Sequence, residues 1–151
     1  ISVCLVGSEM CIRDRLIAYC VSLSAGCRYC QAHTGHNTER AGPASAQQVE
    51  RLAQVLNYET AECFTRAERA AIGLALAAGQ VPNACDGDHF SLLREHYSER
   101  QQVQIVAVIS LFGFLNRWND TLATTLEQTP TDFAQEHLLG GGWQLSKHAA
   151  E

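Results

Sequence analysis

An all-α fold, one helical bundle of about six or seven helices, is predicted by three observations. Apolar residues recur at three- and four-residue spacing, the period of a helix with one buried face. Helix-start signatures stand at intervals, Thr65-Arg-Ala-Glu68 and Ser98-Glu-Arg-Gln101 among them, in which a hydroxyl and a carboxylate or amide satisfy each other's backbone N–H groups. No stretch shows the strict alternation of a half-buried strand. With 151 residues, 46% hydrophobic and 18% charged, the chain has the balance of one globular domain.

The elements follow in order. Residues 1–15 (ISVCLVGSEMCIRDR) have no helical period and lack the basic start and cleavage site of a signal peptide. They resemble translated adapter read-through at the end of an assembled sequence and are expected to be a non-native leader. The domain is then expected over residues 16–139 and a flexible tail over 140–151. Leu16–Leu23 is apolar on nearly every side and predicts a buried helix that breaks at Ser24-Ala-Gly26. A second helix is expected from Cys27 to about Arg40, ended by Gly42 and Pro43. Ser45 caps a third, Ala46 to about Leu56. Thr65 opens a fourth, to about Ala78 with Gly79 as its stop, whose face of Ala70, Ala71, Leu74, Ala75 and Ala78 allows a close helix approach. Asp88 is expected to cap a short helix to about His96. Ser98 opens the longest, to about Trp118, whose centre Ile105–Leu115 is expected to be the most buried element, with Phe112, Phe114 and Trp118 in the core. Thr129-Pro130-Thr-Asp132 starts a last short helix, and Gly140-Gly-Gly142 is expected to end regular structure.

Composition excludes several functions. A net charge of −5 without a basic stripe argues against nucleic-acid binding. The apolar run Val103–Leu115, interrupted by Gln104 and Ser110, is too short to cross a bilayer. Seven cysteines form no disulfide framework and favour a reducing, cytoplasmic setting. Cys20, Cys63 and Cys85 are read as packing residues.

Reactive side chains concentrate in Ser24-Ala-Gly-Cys27-Arg-Tyr-Cys30-Gln-Ala-His33-Thr-Gly-His36. At a helix start, unpaired N–H groups and the positive dipole end favour a thiolate, and cysteines so placed have pKa values of about 3.5–7.5. Three residues apart, Cys27 and Cys30 share a face on which a disulfide is feasible. Either sulfur can attack an electrophile and the other resolve the product. His33, one turn beyond Cys30, is in reach of the thiol proton. His36 ends up about 180° from Cys27 and drops out. Four ligands on one straight helix cannot converge on zinc, so metal binding needs residues from elsewhere and is the lesser reading. His89, His96, His137 and His148 show no paired partner and are expected at the surface. The polar run Asn116-Arg-Trp-Asn-Asp120 is read as a hydrogen-bonded helix end, with substrate contact as the alternative.

The stretch Ser22-Leu-Ser-Ala-Gly-Cys27-Arg-Tyr-Cys30-Gln-Ala-His33-Thr, with Phe112-Gly-Phe-Leu-Asn-Arg-Trp-Asn-Asp120 later, resembles the alkylhydroperoxidase AhpD-like, carboxymuconolactone decarboxylase superfamily over about Leu16–Glu127. The resemblance implies an all-α homo-oligomer that reduces hydroperoxides through a Cys-x-x-Cys cycle and needs no cofactor. In it Cys30 is peroxidatic, Cys27 resolving and His33 part of a proton relay, and a lipoyl or thioredoxin-like dithiol restores the thiols. Two positions depart from the superfamily pattern. The histidine four residues after the second cysteine is here Thr34, and the glutamate twelve residues before the first is Arg15. The chain is therefore expected to work less well than one with Glu at 15. Lactone or decarboxylase chemistry, and a non-enzymatic redox-sensing oligomer, are the alternatives.

Overall fold

The computed structural model describes residues 8–40 and 45–149. Seven α-helices stand among the described residues: α1 Ser8–Ser24, α2 Arg28–Glu39, α3 Ser45–Gln54, α4 Arg66–Ala78, α5 Gly87–His96, α6 Glu99–Leu122 and α7 Gln128–His137. Short 3-10 turns occur at Val55–Asn57, Leu139–Gly141 and Ser146–His148. No strand occurs among the described residues, and the fold is all-α as the periodicity predicts.

The helix α1 is the hub. It packs on α2, α4 and α6, and Leu16, Ile17, Ala18, Cys20 and Val21 are all buried. An element surrounded on three sides has to be apolar all round, which is what its second half, Leu16–Leu23, shows. The chain leaves α1 through Gly26, whose φ of +74° lies where a Cβ is strained, and turns directly into α2. Along α4 the small face permits the close approach anticipated. A Cβ on Gly79 would come within 2.8 Å of the Ser24 Cβ and 2.9 Å of the Val21 carbonyl oxygen.

Capping chemistry sets the helix starts. Thr65 and Glu68 form a reciprocal capping box at α4, as do Ser98 and Gln101 at α6. Asp86, not Asp88, caps α5, through the N–H groups of Asp88 and His89. The cap of α7 is Glu127, whose side chain makes no capping bond; it is engaged elsewhere. Gly42 and Pro43 lie outside the described residues.

Helix limits and burial differ from expectation at four places. The helix α1 begins at Ser8, so the boundary expected after Arg15 falls inside it. Arg13 and Asp14 are buried as an ion pair, with the Arg13 guanidinium 5.6 Å from the Tyr97 ring centre. The helix α6 is not the most buried element. Only Ile105, Val108, Ile109 and Asn116 are buried along it, while Phe114 and Trp118 are 60% and 56% exposed. Its apolar residues go round the helix, but only one side meets α1. Structure also continues past Gly140. The 3-10 turn Ser146–His148 lies there, and Trp143 and His148 are buried, the indole Nε1 donating to the Arg28 carbonyl at 2.9 Å. His148, expected at the surface, is thus an interior residue. No described helix is long and apolar enough to cross a membrane.

Candidate active site

Cys27 is the N-cap of α2. Its backbone is extended, and its Sγ accepts a hydrogen bond from the Cys30 N–H at 3.4 Å. The sequence forces this place, because Gly26 turns the chain and the next residues are the first that can donate N–H groups outward. Both cysteines are free thiols, 1% and 4% exposed.

The two sulfurs are not equivalent. The neighbouring Cys30, through its side chain first and its backbone N–H second, holds the Cys27 thiol below its ordinary 9.0, against burial and the Asp120 charge. Cys30 is pushed up, first by the side chain of Cys27 and then by burial. The Asn119 side-chain amide, 3.6 Å from the Cys30 sulfur, opposes the rise. A thiolate at position 27 beside a thiol at position 30 is the charge state this arrangement favours.

His33 follows one turn after Cys30, with its Nε2 2.7 Å from the Glu127 carboxylate. Tyr29 donates to the other oxygen of Glu127 at 3.3 Å. Partial burial works against the Glu127 charge, but its own backbone N–H and the His33 ring outweigh it and keep the carboxyl below 4.5. The Tyr29 phenol is pushed up to about 12 by burial and by Glu127, so it stays a donor. His36 turns to the Phe133 ring, 5.7 Å away between centres.

The two positions that depart from the superfamily pattern serve other contacts. Thr34 is buried and donates to the Cys30 carbonyl at 2.6 Å, and Arg15 donates to the Asn37 carbonyl at 2.6 Å. One turn beyond Cys30, the histidine–carboxylate pair is His33–Glu127.

Near Cys27 stand two residues from the second half of the chain. A donor atom of Asp120 and one of His148 lie within 4.8 Å of each other and of the Cys27 sulfur. Sulfur, carboxylate and imidazole are the donor types zinc takes. Asn119 and Asp120 belong to the polar run at the end of α6, so that stretch does face the cysteines. One turn earlier, Asn116 is buried with neither side-chain atom partnered among the described residues. Sequence reasoning singled out Cys27, Cys30 and His33 and missed Tyr29, Glu127 and His148. A lone histidine after three glycines carries no local signal of burial. An open cleft of about 440 Å³ lined by Tyr58, Arg66, Arg69, Asp86 and His89 shares none of these residues.

Fold and site together define a helical protein with a dithiol at a helix start. Neither protein-family models nor curated protein sequences yield a match. Two solved structures are similar, both of the debrominase Bmp8. The apo form is 32% identical with a TM-score of 0.76, over 83% of this chain and 65% of that one. The second, a variant with one cysteine changed to alanine, in complex with 2,3,4-tribromopyrrole, is 31% identical with the same TM-score and coverage. The chain therefore spans just under two thirds of the length of the debrominase it matches. The similar protein is an enzyme by name, and the likeness supports the superfamily resemblance at the level of fold.

Proposed function

We propose that this chain is a dithiol oxidoreductase of the AhpD-like superfamily, in which Cys27 and Cys30 deliver two electrons to a small electrophile and end as a disulfide. The observation that carries the reading is the cap. Cys27 receives a hydrogen bond from the Cys30 N–H at 3.4 Å, which places the two thiols together on the first turn of α2, with the thiol of Cys27 shifted down and that of Cys30 shifted up. The resemblance assigns attack to Cys30; the electrostatics of the cap favour Cys27.

With a hydroperoxide, the Cys27 thiolate bonds to the distal oxygen, the O–O bond breaks, and the alkoxide leaves and takes up a proton. The Cys27 sulfenic acid then condenses with the Cys30 thiol, releasing water and forming the disulfide. An external dithiol of lipoyl or thioredoxin type returns the electrons by exchange. His33, Glu127 and Tyr29 form a hydrogen-bonded polar group one turn beyond Cys30. Sulfurs this deeply buried suit a small substrate.

The likeness to a debrominase favours a second substrate class, a brominated aromatic. The electron count is the same. Two thiols and one carbon–bromine bond become a disulfide, a carbon–hydrogen bond, bromide and a proton.

The test is to treat the reduced protein with one equivalent of tert-butyl hydroperoxide or of tribromopyrrole and map its thiols by peptide mass spectrometry. The reading expects a Cys27–Cys30 disulfide with one of them, with stoichiometric alcohol or debrominated product. Both thiols remaining free after exposure to each would refute it.

A further inference from the structure

We propose that His148 is the base that takes the Cys27 proton and hands it to the leaving group, with Asp120 holding the protonated ring. This assigns a catalytic role to a residue more than a hundred positions from the cysteines, and it rests on the dithiol reading above.

Four observations carry it. His148 is fully buried, at 0% exposure. Its Nδ1 lies 2.8 Å from the Thr124 carbonyl oxygen; a carbonyl only accepts, so Nδ1 carries the hydrogen and the neutral ring has its lone pair on Nε2. That Nε2 has no hydrogen-bond partner among the described residues although it is buried. It stands 3.7 Å from Asp120 Oδ1, in the cluster that brings ring, carboxylate and the Cys27 sulfur within 4.8 Å of one another. A buried unpaired acceptor is costly, and the only acidic hydrogen this cluster supplies is the one on sulfur.

The ring is rigidly placed. The Leu126 N–H donates to the His148 carbonyl at 2.9 Å, and the His148 N–H donates to Leu145. Lys147 pairs with the other oxygen of Asp120 at 2.9 Å, and the Tyr29 ring packs 5.9 Å from the imidazole. The charged and titratable groups around His148 are therefore Cys27, Asp120, Lys147 and Tyr29, with Cys30 and Glu127 one contact further.

The proton balance closes. Cys27 S–H gives its proton to Nε2 and keeps the electron pair, and the imidazolium then stands beside a thiolate and a carboxylate. When the thiolate attacks a hydroperoxide, the departing alkoxide takes the Nε2 proton and His148 returns neutral. Cys30 supplies the last proton, which leaves as water. Asp120 is a positioning residue here, since it acts through the ring.

The experiment compares wild type with His148→Gln by two readouts. The first is the pH dependence of Cys27 alkylation by iodoacetamide, which needs no substrate and so is independent of whether the dithiol reduces anything. The second is the rate of Cys27 oxidation by tert-butyl hydroperoxide. The proposal expects the half-maximal alkylation pH to move up by about a unit or more, and oxidation to slow by about 10²-fold, the lower range for a general acid–base group. A wild-type alkylation profile in His148→Gln overturns the proposal while leaving the dithiol reading intact. Absence of any disulfide in wild type, with the alkylation shift present, overturns the dithiol reading alone. Stoichiometric zinc in the purified wild type, lost in His148→Gln, overturns it in favour of a metal site. If the variant does not fold, ¹⁵N imidazole spectra of the wild type serve. The His148 Nε2 signal is expected to change when Cys27 is replaced by Ala, and identical spectra overturn the proposal.

Discussion

Cys27 combines two devices that lower a thiol's pKa, its cap position at a helix N-terminus and the neighbouring Cys30. The direction of its shift fixes a sign. Thiolate forms as pH rises through the folded pKa, which lies below 9.0, so Cys27 is expected to react with iodoacetamide at pH values where an ordinary thiol is silent. Cys30, shifted upward, is expected to lag behind it at every pH. Peptide mapping after brief alkylation checks this, and simultaneous labelling would contradict it. Asn116 offers a second test. A buried amide with no partner costs about 1–3 kcal/mol, so Asn116→Leu is expected to raise the melting temperature. If the amide contacts substrate, KM rises in the same variant while kcat changes little.

Legibility at this scale follows locality. Cys27, Cys30 and His33 announce themselves because their spacing is the spacing of one helix. The partners Glu127, Asp120 and His148 come from other elements, and nothing in a sequence says which end of α6 or α7 will reach α2. The relation between the sulfurs is half legible, because the cap position can be read but not which of the two thiols is shifted down.

Among the elements, α4 matches its expected extent closely because both of its ends are chemically marked, by the Thr65–Glu68 box and by Gly79. The helix α6 matches at its start and differs in burial. Its all-round apolar surface says that something covers it, not that this chain does. The contact between α1 and α4 carries the element-scale prediction. Gly79→Ala drives a methyl into the Val21 carbonyl and the Ser24 side chain, and overpacking of this kind costs about 1–3 kcal/mol. Calorimetry should show the melting temperature fall by about 2–4 °C for each kcal/mol. An unchanged value would mean that the two helices can separate freely.

The whole molecule presents Val103, Val106, Phe114, Trp118 and Leu122 on the exposed side of α6. A continuous apolar patch of this kind marks an interaction surface more often than chance. The homo-oligomer implied by the resemblance is proposed to form here, with a second copy of α6 as the occupant. Trp118→Glu combined with Phe114→Glu is expected to reduce the mass measured by light scattering to that of one chain while leaving the helical spectrum intact. The same mass for variant and parent would place the contact elsewhere. The fold class is legible at this scale from periodicity and caps alone. The ordered end of the chain is not, because Trp143 and His148 are held by contacts to Arg28, Thr124 and Leu126 rather than by any local pattern.

The central claim is that Cys27 attacks and Cys30 resolves. It is tested most directly by trapping sulfenic acid with dimedone in the two single variants after exposure to tert-butyl hydroperoxide. The account predicts a dimedone adduct on Cys27 in Cys30→Ser protein, formed at a rate near that of wild-type oxidation, and little adduct on Cys30 in Cys27→Ser protein. A fast adduct on Cys30 with none on Cys27 would contradict it.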